Sequence, residues 1–291
     1  MKRAAIAALV LCGFAFGQAP DSKLVFDVAS VRLSKPAPPG QYIPARMVGG
    51  PGTNDPAQIH WENASLRSIL QRAYGLRDFR QIFADKDPSA LSVSYDIEAN
   101  VPAGTTKEQF NTMMQDLLVE RVKLAVHHEV RSIAVYQLVI AKGGIKMKES
   151  VETSGKPLEA APAANGFPAL AAGRNAVWTR TRDGHLLFRA RALPVSCEPV
   201  GAPGCEFMSP FLIGGITPEP RIIEDKTGLT GRYDFTLDCM IPDKPGLTVA
   251  EDAEGPNCFD AIEPQLGLKL VDTKEPMNVL VVDRVEKPVE N

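Results

Sequence analysis

The chain has 291 residues, 44% of them hydrophobic, enough for one large domain or two of ordinary size with a real core. A formal net charge of −3 leaves no basic excess for a phosphate backbone, which argues against nucleic-acid binding. The 24 prolines and 23 glycines suit a loop-rich fold better than a helical bundle.

Residues 1–17 read as a signal peptide. Lys2 and Arg3 precede an apolar run from Ala4 to Phe16, too short for a spanning helix. Ala15, Phe16 and Gly17 put small residues at −3 and −1, which predicts cleavage before Gln18 and a periplasmic or secreted product. Lipidation at Cys12 is the rival, opposed by the bulky Leu11 before it. No later stretch is apolar and long enough to span a membrane. The mature chain then holds Cys197, Cys205, Cys239 and Cys258. An even number in an oxidising compartment favours disulfides, and no interval is as short as a zinc-type C-x2-C pair. The expected pairing is Cys197 with Cys205, closing a Pro/Gly-rich loop, and Cys239 with Cys258, tying a strand end to a helix start. Crossed pairing stays open, because four cysteines allow three connectivities.

In chain order, 24–31 reads as a strand and 35–56 as a Pro/Gly-rich surface loop. Gly49, Gly50, Pro51 and Gly52 lack the following Gly-Lys-Ser/Thr of a phosphate cradle. A short strand at 58–62 precedes a helix marked by Leu66, Ile69, Leu70, Ala73 and Tyr74, with Ser65 as N-cap and Gly75 beyond its end. A second helix opens on the capping box Thr106 to Gln109 and follows Phe110, Met113, Met114, Leu117 and Leu118. Residues 122–130 and 135–141 read as a hairpin, and 149–175 as a linker of small residues. Strands are expected within 176–190, turned by Asp183 and Gly184. In 222–237, strand, tight connection and strand follow one another, with Tyr233, Phe235 and Leu237 alternating against Asp234, Thr236 and Asp238. A short helix around Phe259, Ala261 and Ile262 is broken or shortened by Pro264, and 266–270 and 279–282 are the closing strands.

The order repeats. Tyr95, Asp96, Ile97, Glu98 and Ala99 form a weaker copy of the Tyr233 strand, and 122–126 matches 266–270. The reading is an α+β fold of two similar units, 24–150 and 176–291, joined by 151–175. Each unit is a mainly antiparallel sheet with a helix packed on one face.

The run Asp225, Lys226, Thr227, Gly228, Leu229, Thr230, Gly231, Arg232, Tyr233, Asp234 and Phe235 resembles a family motif. So do 26–31, Ala73 to Leu76, 265–270 and the closing 279–288. Together they resemble the soil-associated paralogous family abundant in Acidobacteria, a domain of unknown function that covers essentially the whole mature chain. The resemblance carries over no activity, cofactor or catalytic residue. Related domains attached to membrane peptidases of the antibiotic-sensor type imply an extracytoplasmic binding or sensing role. The family's amphipathic helix before this motif is replaced here by the Pro, Gly and Cys residues of 193–220, and Cys239 and Cys258 stand where apolar residues are expected.

Candidate chemistry is sparse. His127 and His128 are adjacent in a strand, so they face opposite ways and suit no shared metal. His60 and His185 are isolated, and no G-x-S-x-G elbow surrounds a serine. The pairs Asp96/Glu98 and Asp234/Asp238 share strand faces but need a pocket to raise one pKa before acid–base work. Glu251, Asp252 and Glu254 read as a solvated loop without the ligand order of a calcium site. Arg72, Arg77 and Arg80 near the first helix are weighed between a small basic edge and a solvated face, the latter the default. Trp61 and Trp178 are the two tryptophans, weighed between core packing and a binding surface. The expected function is a noncatalytic extracytoplasmic binding or sensing module without cofactor, whose partner is an envelope protein or a small ligand. The alternatives are a hydrolase with a dispersed site or a structural envelope protein. Intact-mass measurement of exported material is expected to place the N-terminus at Gln18; a product retaining Met1 would contradict the export reading.

Overall fold

The computed structural model describes residues 24–38, 40–41, 43–151, 158–181, 183–195, 221–240 and 255–288. The signal segment, Cys12, Cys197, Cys205 and the acidic loop of Glu251, Asp252 and Glu254 lie outside them. The chain is α+β, with three helices among the described residues. The elements are β1 (Val28–Leu33), β2 (Arg46–Gly49), β3 (Gln58–Ser65), α1 (Leu66–Ala73), β4 (Ile82–Phe83), β5 (Ser94–Asn100), α2 (Lys107–Val122), β6 (Ala125–Ile140), β7 (Lys148–Glu149), β8 (Ala176–Arg180), β9 (His185–Pro194), β10 (Ile222–Asp225), β11 (Arg232–Met240), α3 (Cys258–Leu266) and β12 (Leu268–Arg284).

They form three four-stranded sheets. The first is ordered β1-β5-β3-β2 and the third β7-β11-β9-β8, all antiparallel. The central sheet is ordered β10-β6-β12-β4, and its two outer pairings are parallel. The helices start and stop where local chemistry satisfies their ends. Ser65 Oγ accepts from the Ser68 N–H at 3.2 Å, and Thr106 and Gln109 close the α2 capping box. Helix α3 begins on Asn257, which accepts from the Asp260 N–H at 2.9 Å, and keeps Pro264 inside its nine residues. It ends on Gly267 at φ 69°, where an added Cβ would lie 2.0 Å from the Gly144 carbonyl oxygen, so only glycine fits.

Two expectations need correction. Residues 122–130 and 135–141 are not two strands of a hairpin. Val122 ends α2, Lys123 caps it in the left-handed region, and β6 then runs unbroken for 16 residues. Nothing between 130 and 135 can turn the chain, and the partner of β6 is the 17-residue β12, which likewise absorbs both predicted closing strands. Pro276 sits inside β12, opposite Ser132. The described part of the expected linker also has structure: Ala161 bridges Leu170, and Leu170 is buried.

The β6–β12 pair is shared between two cores. The first core gathers Trp61, Ile69, Leu70, Ile97, Phe110, Met114 and Leu118, and takes Leu280 and Val282 from β12. The second gathers Phe188, Leu193, Tyr233, Leu237, Ala261 and Leu266, and takes Tyr136 and Leu138 from β6. The partition of the cores therefore does not follow the chain boundary at 151–175. The disulfide Cys239–Cys258, with Cα atoms 4.6 Å apart, ties the end of β11 to the start of α3 inside the second core. A closure of this length contributes about 3 kcal/mol through the unfolded state.

The Tyr-Asp strands owe their shared pattern to a bulge. Opposite Asp96, strand β3 places two residues, Glu62 and Asn63; opposite Asp234, strand β9 places Arg191 and Ala192. The second residue of each bulge is left-handed, Asn63 at φ 50° and Ala192 at φ 47°. Its N–H donates to the aspartate, at 2.9 Å for Asn63 to Asp96 and 2.8 Å for Ala192 to Asp234. A left-handed L-residue costs roughly 1–2 kcal/mol. A hydrogen bond to a charged acceptor contributes roughly 1.5–3 kcal/mol, so the aspartate offsets the strain. Replacing Asp96 or Asp234 by alanine is expected to lower the unfolding free energy by about 1–3 kcal/mol in urea titrations; an unchanged midpoint for both would show that the bulges do not depend on them.

Candidate functional site

The tryptophans separate. Trp61, weighed between core packing and a binding surface, is 0% exposed and belongs to the first core, edge-on to Phe110 at 6.3 Å between ring centres. It alternates inward with Ile59 along β3, and burial overrides any surface role. Its indole Nε1 finds no acceptor among the described residues. Trp178 on β8 is 48% exposed.

The paired carboxylates are also employed structurally. Asp96 accepts from Asn63 and from the Ser34 hydroxyl at 2.6 Å, while Glu98 lies 3.5 Å from His60. Asp234 holds its bulge, and Asp238 faces His185 Nδ1 at 2.6 Å. Neither pair lines the described groove. His128 meets Tyr74 edge-on at 6.1 Å. His127 joins an exposed chain of charges in which its Nδ1 lies 2.8 Å from Asp283 and its Nε2 3.8 Å from Glu129. Arg131 bridges Glu129 and Asp85 and stacks over Phe83 at 4.8 Å. Among the described residues, no group of three or more His, Cys, Asp or Glu is placed to hold a metal ion.

The basic edge leads to a cavity. Arg80 is taken up by Asp78, with its Nε 2.8 Å from the carboxylate. Arg72 and Arg77 instead line a groove of about 1090 Å³ between β2, the loop after it, α1 and the start of α2. Met47 comes from β2, Gly52 and Thr53 from the loop, and Ser68, Gln71 and Arg72 from α1. Gly75, Leu76 and Arg77 follow the helix, while Lys107, Phe110 and Asn111 come from the first turns of α2. Glycine makes the tight turn behind this wall possible: Gly49 has φ 86°, and an added Cβ would lie 2.0 Å from the Gln58 carbonyl oxygen. The loop offers no phosphate cradle at Gly50, whose N–H is taken by Asp55 and Gln58 carbonyls at 2.9 and 2.8 Å.

Three lining residues are cations, Arg72, Arg77 and Lys107, and none of the described lining residues is acidic. Arg72 is half-buried; its guanidinium lies 5.3 Å over the Trp61 ring and donates to the Gly49 carbonyl at 3.1 Å. Burial lowers its pKa, yet a guanidinium stays charged at neutral pH. Lys107 is exposed and occupies the first position of α2, where the positive end of the helix dipole disfavours a cation. The sequence marks Arg72 and Arg77 as a basic edge or a solvated face, and gives no sign of Met47 or Asn111. A lysine placed against a helix dipole was the one legible sign.

Residues 67–285 match the model of a family described as a protein of unknown function, DUF3738. No curated protein and no solved structure matches the chain.

Asp283 and then Glu129 raise the pKa of His127 above its ordinary value, first through the hydrogen bond to Asp283. A raised pKa means that this interaction stabilises the fold fully below about 6.5 and fades as pH rises through the folded pKa. In an NMR titration the His127 midpoint is expected above about 6.5 and should fall in Asp283→Asn; a midpoint indifferent to that change would remove Asp283 as the cause.

Proposed function

The chain belongs to the DUF3738 family, and from that premise we propose that it is an exported, noncatalytic binding module whose groove takes an anionic ligand. The observation that carries this is the groove lining, with Arg72, Arg77 and Lys107 and no carboxylate among its described residues. Apolar walls from Met47, Leu76 and Phe110 complete it, so the ligand combines carboxylate or phosphate groups with apolar surface. A hydrolase is the weaker reading at this place, because the described lining has no His, Asp or Glu to serve as a base. Export is supported by the leader-like residues 1–17 and by the Cys239–Cys258 disulfide, which suits an oxidising compartment. Among the described residues no helix is long and apolar enough to cross a membrane.

We also read the halves of the chain as two copies of one α+β unit. The supports are the matching strand orders of the first and third sheets and the aspartate-held bulges opposite Asp96 and Asp234. The left-handed caps Lys123 and Gly267 fit the same alignment, each standing between a helix and a long central strand.

Arg72 over Trp61 provides a built-in reporter. In Trp178→Phe, Trp61 is the sole tryptophan, and its emission is expected to shift on adding hexaglutamate or hexametaphosphate but not hexalysine. Salt should weaken the response. Lys107→Glu should reduce binding at least tenfold while raising helix stability by about 0.3–1 kcal/mol, since an acid at the first helical position favours the dipole. A response to hexalysine alone, or none to either anion, would overturn the reading.

A further inference from the structure

The groove runs beside an unpaired sheet edge. Strand β2 bonds only to β3 on one side; its other side has no strand among the described residues. The ladder alternation can be fixed from three hydrogen bonds. The Gly50 N–H donates to Gln58, the Val101 N–H to Ala57 and the Ser34 N–H to Ser94. In antiparallel pairs, hydrogen-bonded and non-hydrogen-bonded positions alternate. Gly50 and Gln58 therefore bond, Gly49 and Ile59 do not, Val48 and His60 do, and Met47 and Trp61 do not. The N–H and C=O of Met47 accordingly point away from β3. The outward carbonyl of Gly49 is already taken by Arg72, which closes this edge at the turn.

Resting on the reading of the groove as an anion-binding site, we propose that its ligand is an extended acidic peptide. The peptide adds as a strand to β2 and directs alternate side chains into the groove. Charge complementarity names the chemistry: acidic side chains answer Arg72, Arg77 and Lys107. Apolar side chains of the same peptide face cover Met47, Leu76 and Phe110. Main-chain groups answer the outward N–H and C=O of Met47, which a free anion cannot do as a pair. A volume of about 1090 Å³ also exceeds what an isolated carboxylate or phosphate fills. The peptide's side chains on the opposite face, pointing away from the groove, are unspecified, so recognition has a period of two.

The test is fluorescence polarisation on the full chain with a labelled heptapeptide of glutamate, serine, leucine, serine, glutamate, serine and leucine. Competitors are the same peptide N-methylated at alternate residues, glutarate, and inorganic phosphate. The peptide is expected to bind, with the N-methylated form at least tenfold weaker and neither small anion displacing it at comparable concentration. Met47→Pro removes the outward N–H without removing a ladder bond, as edge strands tolerate, and should weaken binding at least tenfold more than Met47→Leu. Lys107→Gln, on an exposed position, should weaken binding even if Met47→Pro fails to fold. Equal binding of the methylated peptide, or displacement by glutarate or phosphate at the peptide's own affinity, would overturn strand addition and leave anion binding standing. No binding by the peptide or by either anion would overturn both.

Discussion

The antiparallel pairing of β6 with β12 is the constraint on which the rest of the molecule depends. At one end, Leu138 and Leu270 stand as partners in the wall of the second core; at the other, Val126 and Val282 stand as partners in the wall of the first. Each core is thus closed by a strand that left the other. Between them the pair presents one exposed face, including Val130, Ser132 and Pro276, and one half-buried face. The short parallel strands β4 and β10 then attach at opposite edges, β4 to β12 and β10 to β6.

Sequence signals of short range were legible. Ser65, Thr106 with Gln109, and Gly75 act through atoms within a few residues, and the structure uses each for the helix end its type favours, whereas Gly267, read as part of a strand, caps a helix. Alternation around Tyr95 and Tyr233 identified two strands, and Cys239 with Cys258 closed as spacing suggested. Signals of long range were not legible. Two apolar clusters in 122–141 look like two strands because the polar residues between them are solvated, yet a distant partner holds the backbone extended throughout. In the same way Trp61 cannot be sorted into core or surface from its neighbours, because Arg72 and Phe110 reach it from separate helices.

The groove was half legible for the same reason. Arg72 and Arg77 stand out as a local run of basic residues, while Lys107 joins them only because α2 starts beside the end of α1. The aspartates were misread more completely. Acids sharing a strand face read first as a solvated face, but Asp96 and Asp234 hold left-handed backbone, and the pairing of strands that needs them is absent from any local window.

The exchange of strands has a consequence for biosynthesis. A chain emerging from the N-terminus makes α1, α2 and the first sheet early, but the wall of the first core contributed by Leu280 and Val282 comes only after β6 to β11 and α3. The early half cannot complete its burial while the rest is being made, so the vectorial, domain-by-domain folding open to many two-part proteins is closed to this one. Loss of the end of β12, with Leu280 and Val282, would open the first core. The first core is thus completed only by residues far downstream of its own helices.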